Sequence, residues 1–344
     1  MKRNDLLRTL IGIGIAGLFV YLAFRGISFD SLFHDAARAN FLILVAATLI
    51  AMFSLFLRSV RWKIILQELK PEISTVNTWG SLMVGYMLNN FVPRLGEIVR
   101  AYTTAKIEDT KVSAVLGTIL IERLIDMVTA GVLFGIALAS FGSSIIKVYP
   151  FLRLAGLIFI VASIALSAIF YIVAVVKSAN RILMKFIAAM IPHRLVEKTS
   201  GFINSFLSAF TILRSPRRIT YITLYTVLIW FTYILQIYVP FFAFTSTSKL
   251  DVYDAFILGM MATIAWLIPS PGALGVYHLF VSQTLARFFG VVPDEALAYA
   301  TLTHLFGYIG ITVLGAIFAF IFTRKLRIKS IGKLLETEET IGKF

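Results

Sequence analysis

Two short stretches combine side chains able to bind charge with backbone that cannot continue a helix. The first reads Asn89-Asn90-Phe91-Val92-Pro93-Arg94-Leu95-Gly96-Glu97-Ile98-Val99-Arg100 and ends an apolar run that begins at Val76. Arg94, Glu97 and Arg100 recur every third residue, the spacing of neighbours on one helix face. An arginine fork matches the oxygens of a phosphate, so Arg94 and Arg100 are candidate phosphate ligands; the plainer reading is a salt bridge to Glu97 or a snorkelling pair. Asn89 and Asn90 either cap a helix end or face a substrate. Pro93 has no N–H to donate, and Gly96 lets another backbone approach closely. The second stretch lies about half a chain later, Trp266-Leu267-Ile268-Pro269-Ser270-Pro271-Gly272-Ala273-Leu274-Gly275-Val276-Tyr277-His278, and repeats the Pro-x-x-Gly pattern after an apolar run. Trp79, Tyr86 and Trp266 read as packing or interface aromatics. Paired hydrophobic segments interrupted by Gly and Pro in two halves of a chain point to a transporter site.

A third group is Glu122, Arg123 and Asp126, set within an apolar run over 112–140. A lone Asp or Arg at a bilayer centre costs about 2.5–3.5 kcal/mol on insertion scales, so such residues face a protein interior or a wet cavity. Glu122 and Asp126 share a helix face, and Arg123 projects about 100° away. They read either as a buried ion pair, with Arg94 or Arg100 as partner, or as a site for a charged headgroup or a proton. His278 and His304, in the second half, are core histidines or proton- or headgroup-binding residues. Glu97, Glu122 and Asp126 are the acids from which a divalent-metal site would have to be built, but no Asp-x-x-Asp cluster supports one, and no cofactor is expected. The sequence has no Walker loop, Gly-x-Ser-x-Gly elbow or His-Glu-x-x-His pair.

The elements that position these groups follow from composition. Of 344 residues, 59% are hydrophobic and 15% charged, with a mean hydropathy of +0.88. Soluble domains are nearer half apolar and a quarter charged. The expected class is therefore all-α, a polytopic helical membrane protein. With no cysteine there is neither a disulfide nor a thiolate metal site, and the net charge of +14 lies in loops, where anionic lipid headgroups rather than nucleic acid are the expected partners. Apolar spans are expected at 10–24, 41–57, 112–140, 154–176, 219–244 and 296–323. Arg58, Arg61, Trp62 and Lys63, after the second of these, read as membrane-interface markers.

Charge counts then set the topology. Residues 177–218 hold eight Lys and Arg against one acid, 324–344 hold six, and 58–74 hold four. All three segments and the N-terminus belong in the cytoplasm by the positive-inside rule. This works only if 76–92 enters a cytoplasmic re-entrant hairpin and 255–286 forms a second hairpin from the outer side. The expected architecture is one integral membrane domain over 1–323. Its two inverted-topology halves, about 8–140 and 148–323, each carry an interrupted, re-entrant hydrophobic hairpin. A cytoplasmic amphipathic insert occupies 177–218, and a basic cytoplasmic tail occupies 324–344.

These residues also carry a resemblance. Gly85-x-x-x-Asn89-Asn90-x-x-Pro93-Arg94-x-Gly96-Glu97-x-x-Arg100, Glu122-Arg123-x-x-Asp126 and Pro269-x-Pro271-Gly272-x-x-Gly275 resemble the transmembrane domain of lysylphosphatidylglycerol synthase, or flippase-like domain family, over about residues 10–323. The resemblance implies translocation of a modified lipid between leaflets without its synthesis, because the family's soluble synthase domain is missing. It departs from the family at Tyr277-His278, where an acidic residue is common. The expected function is a lipid flippase or scramblase of the cytoplasmic membrane that moves a phosphate-containing headgroup, on a modified phospholipid or a polyprenyl-phosphate sugar. Arg94 and Arg100 would hold the phosphate, and Glu122 and Asp126 would meet a cationic headgroup or Arg123. A secondary transporter of a small soluble anion and an integral-membrane transferase are the alternatives. Membrane lipids and a separate lipid-modifying enzyme are the expected partners, with an oligomer possible.

Overall fold

The computed structural model describes residues 14–326 other than 15, 149, 151, 177–181, 183–199, 206–207, 209–211 and 213–214. Most of the expected amphipathic insert, the basic tail and the start of the first span lie outside the described residues. The protein is all-helical, and the helices run α1 (Ala16–Phe24), α2 (Phe29–Arg38), α3 (Phe41–Leu66), α4 (Thr75–Phe91), α5 (Leu95–Ile107), α6 (Val112–Val148), α7 (Leu152–Val175), α8 (Pro216–Tyr238), α9 (Val252–Leu267), α10 (Val276–Phe289) and α11 (Pro293–Lys325). It is a multi-pass membrane protein. Among the described residues α3, α8 with its 3-10 extension to Ala243, and α11 are each long and apolar enough to cross a bilayer. α1 and α2 are bent 89° from one another. The outer faces of the helices remain apolar: Leu42, Leu49 and Phe53 on α3, Leu157, Val161 and Ile164 on α7, and Val313 and Ile317 on α11 are all at least half exposed. Faces of that kind are at home against lipid tails rather than water.

The helix ends are written in local sequence. Asn40 accepts from the Leu42 and Ile43 amides to start α3, and Asp251 with Asp254 forms a capping box at α9. α11 opens with Pro293, Asp294 and Glu295 and closes with Arg324 and Lys325, charges that complement the helix dipole at both ends.

α4 and α5 form a hairpin whose two ends lie together. At its base the Ser74 amide and the Asn77 side chain both donate to Glu108 Oε1, at 3.3 and 2.6 Å. Seventeen and thirteen residues make arms of about 25 and 20 Å, short of a full crossing with its headgroup regions. The arms touch backbone to backbone. A Cβ built on Gly96 would lie 1.9 Å from the Gly85 carbonyl oxygen, and the Gly96 amide donates to Asn89 Oδ1 at 2.8 Å. Small residues allow such approaches where apolar burial cannot drive association.

α9 and α10 form the second hairpin, turned by the 3-10 segment Pro271–Ala273, with Gly272 at φ 54° and Gly275 at φ 77°. Gly275 is also pressed against the α1 backbone, since a Cβ there would sit 2.5 Å from the Val20 nitrogen.

The two hairpins approach α11 from opposite ends. Lys325, at the end of α11, donates to Asn77 at the base of the first hairpin, whereas the base of the second runs through Gly290 into Pro293 at the start of α11. Their tips meet at the middle of α11. Asn90 donates to Thr312 Oγ1 at 3.0 Å, the Tyr308 hydroxyl donates to the Asn90 carbonyl at 3.2 Å, and His304 Nε2 lies 2.8 Å from the Gly272 carbonyl oxygen. Close packing locks α4 onto α11, where a Cβ on Gly315 would fall 2.5 Å from Met87 Cβ.

Candidate functional site

The ionic centre of the protein lies between α3, the first hairpin and α6. Glu122, fully buried, takes Arg58 Nε on Oε1 at 2.5 Å and the Arg100 guanidinium on Oε2. Asp126, one turn on, takes Arg61 on Oδ1 at 2.7 Å and Arg58 on Oδ2 at 2.5 Å. One Nη of each of Arg58 and Arg61 reaches across to α8, where they donate to the Tyr233 hydroxyl and Thr226 Oγ1, each at 3.0 Å. Arg100 also stacks on the Trp62 ring, its Cζ 3.5 Å from the centroid. Arg123 points away from this group and pairs with Glu97 Oε1 of α5 at 2.6 Å, while Asn89 approaches Glu97 Oε2 at 3.4 Å.

Three expectations are corrected by this arrangement. Arg58, Arg61 and Trp62 are not interface markers: α3 continues to Leu66 and carries all three into the interior. The signal was present in the sequence, because Ile64, Ile65 and Leu66 resume the apolar run after them. Arg94 and Arg100 form no clamp; Arg100 is buried against Glu122 and Trp62, and Arg94 is exposed at the hairpin tip. Glu122 and Asp126 pair with Arg58, Arg61 and Arg100, so neither faces Arg123 or is left open to a cationic headgroup. All three acids of the cluster rest on arginine, and no group of three or more His, Asp or Glu placed to hold a metal ion occurs among the described residues.

A small crevice beside the cluster is lined by Leu82, Gly85, Tyr86, Asn89, Gly96, Glu97, Arg100 and Arg123. Glu97 and Arg123 are 26% and 38% exposed, in contrast to the sealed Glu122. Arg94 stands at the same hairpin tip at φ 64°, a left-handed conformation that an arginine rarely adopts. It has no ion pair or hydrogen bond to any described residue, and Pro93 precedes it in the turn. Around the two tips, Phe91, Trp266, Leu267, Leu305 and Ile309 are about half exposed. Arg94 follows, by three to four residues, the Asn90 and Phe91 that contact Thr312 and Tyr308 of α11.

The second hairpin contributes a neutral polar face. His304 Nε2 can only donate to the Gly272 carbonyl, which fixes the Nε2–H tautomer of the neutral ring. The His278 ring lies 4.9 Å from His304, the Tyr277 ring 5.2 Å from it, and the Tyr277 hydroxyl contacts Thr303 at 3.4 Å. Pro269 and Pro271 end α9 and shape the turn that presents Gly272. Tyr308 is the pin between the hairpins. Tyr308→Phe keeps its packing against Gly272 and loses only the bond to Asn90, so a loss of about 1 kcal/mol is expected in unfolding of the purified protein.

Similarity to known proteins agrees with this geometry. A family model described as the lysylphosphatidylglycerol synthase TM region matches residues 9–315. The chain belongs to that family. It is 23% identical to a UPF0104 membrane protein of Methanocaldococcus jannaschii over 337 residues, covering 95% of this chain and 98% of that one. It is also 23% identical to glycosyltransferase AglD of Haloferax volcanii over 292 residues, 76% of this chain and 46% of that protein. No solved structure matches. Within the family region lie both hairpins, the ionic centre and most of α11.

Proposed function

We propose that this protein is a flippase- or scramblase-like transporter that moves the phosphate-bearing headgroup of a lipid across the cytoplasmic membrane. The observation that carries this reading is Arg94, an exposed cation at the left-handed tip of the first hairpin whose side chain has no partner among the described residues. A headgroup passing between the tips would find a guanidinium there while its hydrocarbon chains remained in the bilayer, so only the headgroup would have to leave water. Asn89, Glu97 and Arg123 line the small crevice beside the ionic cluster, and the buried Arg58, Arg61, Arg100, Glu122 and Asp126 would hold that lining in place. His278, His304 and Tyr277 would form the facing wall. On this reading the hairpins belong to two halves of inverted topology, with both termini in the cytoplasm. The lipid would be made by a separate enzyme, and the chain itself would catalyse no bond change. The glycosyltransferase name of the Haloferax relative, more than half of which lies outside the match, favours a sugar-bearing lipid over other modified lipids.

The test is headgroup translocation in proteoliposomes, with labelled phospholipid and labelled polyprenyl-phosphate sugar, for wild type beside Arg94→Asn. Asparagine tolerates the left-handed turn, so the variant removes charge without adding strain. Losing a charge-assisted contact is expected to slow movement about tenfold or more. An unchanged rate would remove Arg94 from the pathway. Uptake of inorganic phosphate with no lipid movement would instead establish a small-anion transporter.

A further inference from the structure

On the second hairpin a buried ring nitrogen has no partner. His278, on α10, is 5% exposed, and its Nδ1 makes no hydrogen bond to any described residue. Leaving a buried polar atom unpaired costs stability, and native interiors rarely do so without a purpose. The ring of His304, on α11, lies 4.9 Å from the His278 ring. Two imidazoles joined by one N–H···N bond lie at about that separation, roughly 3 Å between the nitrogens plus about 1 Å from each nitrogen to its ring centre. Neutral His304 spends its one N–H on the Gly272 carbonyl and keeps a bare lone pair on Nδ1. A proton added at Nδ1 would leave the bond to Gly272 intact and give His278 the donor that it lacks.

No acid competes for that proton. The other rings around the pair are Phe24 of α1, Tyr277 of α10 and Tyr308 of α11. Among the described residues, the one charged or titratable group that acts on His278 is His304. On α2 and at the start of α11, His34, Arg38, Asp294 and Glu295 gather round Asp35 instead, and the acids of α9 form its capping box. Glu97, Glu122 and Asp126 are each paired with arginine. The pair can therefore hold one proton, shared between two nitrogens. A second would set two like charges side by side with no carboxylate to offset them.

We propose that His278 and His304 form a binding site for a single proton and, resting here on the flippase reading, that headgroup movement is coupled to its release. His304 holds the Gly272 carbonyl at the turn of the second hairpin, and Tyr308, one turn further along α11, holds the Asn90 carbonyl at the tip of the first. A proton bridging α10 and α11 stiffens the joint at which the two tips meet, and its loss loosens that joint. Histidine is the side chain whose ordinary charge change falls at about pH 5 to 8, so a pH difference across a membrane acts on such a pair. Acid loads the bridge and slows movement between the tips; alkali empties it and speeds movement.

The site is read apart from transport by nitrogen NMR of the full chain, labelled at histidine and held in detergent, over about pH 5 to 8. The His278 and His304 rings are expected to titrate together and to take up one proton between them. His278→Gln is expected to abolish the titration of His304 in that range. His304→Gln, which keeps an N–H for the Gly272 carbonyl, is expected to abolish that of His278. Should the variants fail to fold, the proton count of the wild-type pair decides. Rings that stay neutral throughout, or that each take a proton independently, overturn the site. Coupling is read in proteoliposomes holding labelled phospholipid and labelled polyprenyl-phosphate sugar. Below the pH at which the pair is half loaded, the wild-type rate is expected to fall about tenfold per pH unit, as the empty fraction does, and His278→Gln should lose that dependence. Lipid movement that ignores pH overturns the coupling and leaves the flippase reading standing. No lipid movement at any pH, from a pair that does bind one proton, overturns the flippase reading and leaves the proton site.

Discussion

Glu122→Ala is expected to destabilise the protein by about 3–5 kcal/mol, the cost of leaving buried charge without its partner. Glu122 has no exposure and touches Arg58, Arg61 and Arg100, so its removal leaves three interior guanidinium groups with Asp126 as the one remaining acid of the cluster, paired with Arg58 and Arg61. The variant should purify in poor yield, and its unfolding midpoint in detergent should fall steeply. Arg58 and Arg61 retain Asp126, but Arg100 has no other carboxylate. Arg100→Met added to Glu122→Ala should therefore recover a large share of the loss, since a buried ion pair replaced as a unit by apolar side chains is often nearly neutral. Purely additive losses in the double variant would show that Arg100 and Glu122 do not act as a pair.

The second large effect is at Gly96. Alanine there would place a carbon 1.9 Å from the Gly85 carbonyl oxygen and 2.8 Å from the Asn89 side chain. Backbone cannot rotate out of the way as a side chain can, so the hairpin would have to open, at a cost of about 3 kcal/mol or more, the upper end of overpacking. Opening would pull Arg100, one turn further on, away from Glu122. The unfolding midpoint and lipid movement should fall together. Gly307→Ala on α11 is the control: nothing lies within 4 Å of its Cβ position, and it should be neutral or slightly stabilising. A Gly96→Ala protein as stable as this control would mean that the two arms are not packed at Gly85 and Gly96.

The class of the protein and the place of its breaks were legible in the chain itself. Long apolar runs can only be helices in a membrane, because lipid offers no partner to a backbone amide, and Pro-x-x-Gly after such a run must interrupt it. Glu122 and Asp126 at a spacing of four also announced a shared face. Partnership was legible only in part: a buried ion pair with Arg100 was among the readings, and Arg100 does pair with Glu122. Arg58 and Arg61 looked like the end of a span because a single helix read in isolation does not reveal that its end is buried against α6 and α8. Arg94 and Arg100 follow one another closely in the sequence, with Glu97 midway between them, yet one lies at a left-handed turn and the other is buried in the interior. Which arginine meets which acid is decided by packing of α3, α5 and α6 over long sequence separations. No local spacing encodes it, and only the tertiary structure shows Glu97, Glu122 and Asp126 each paired with arginine while Arg94 has no partner among the described residues.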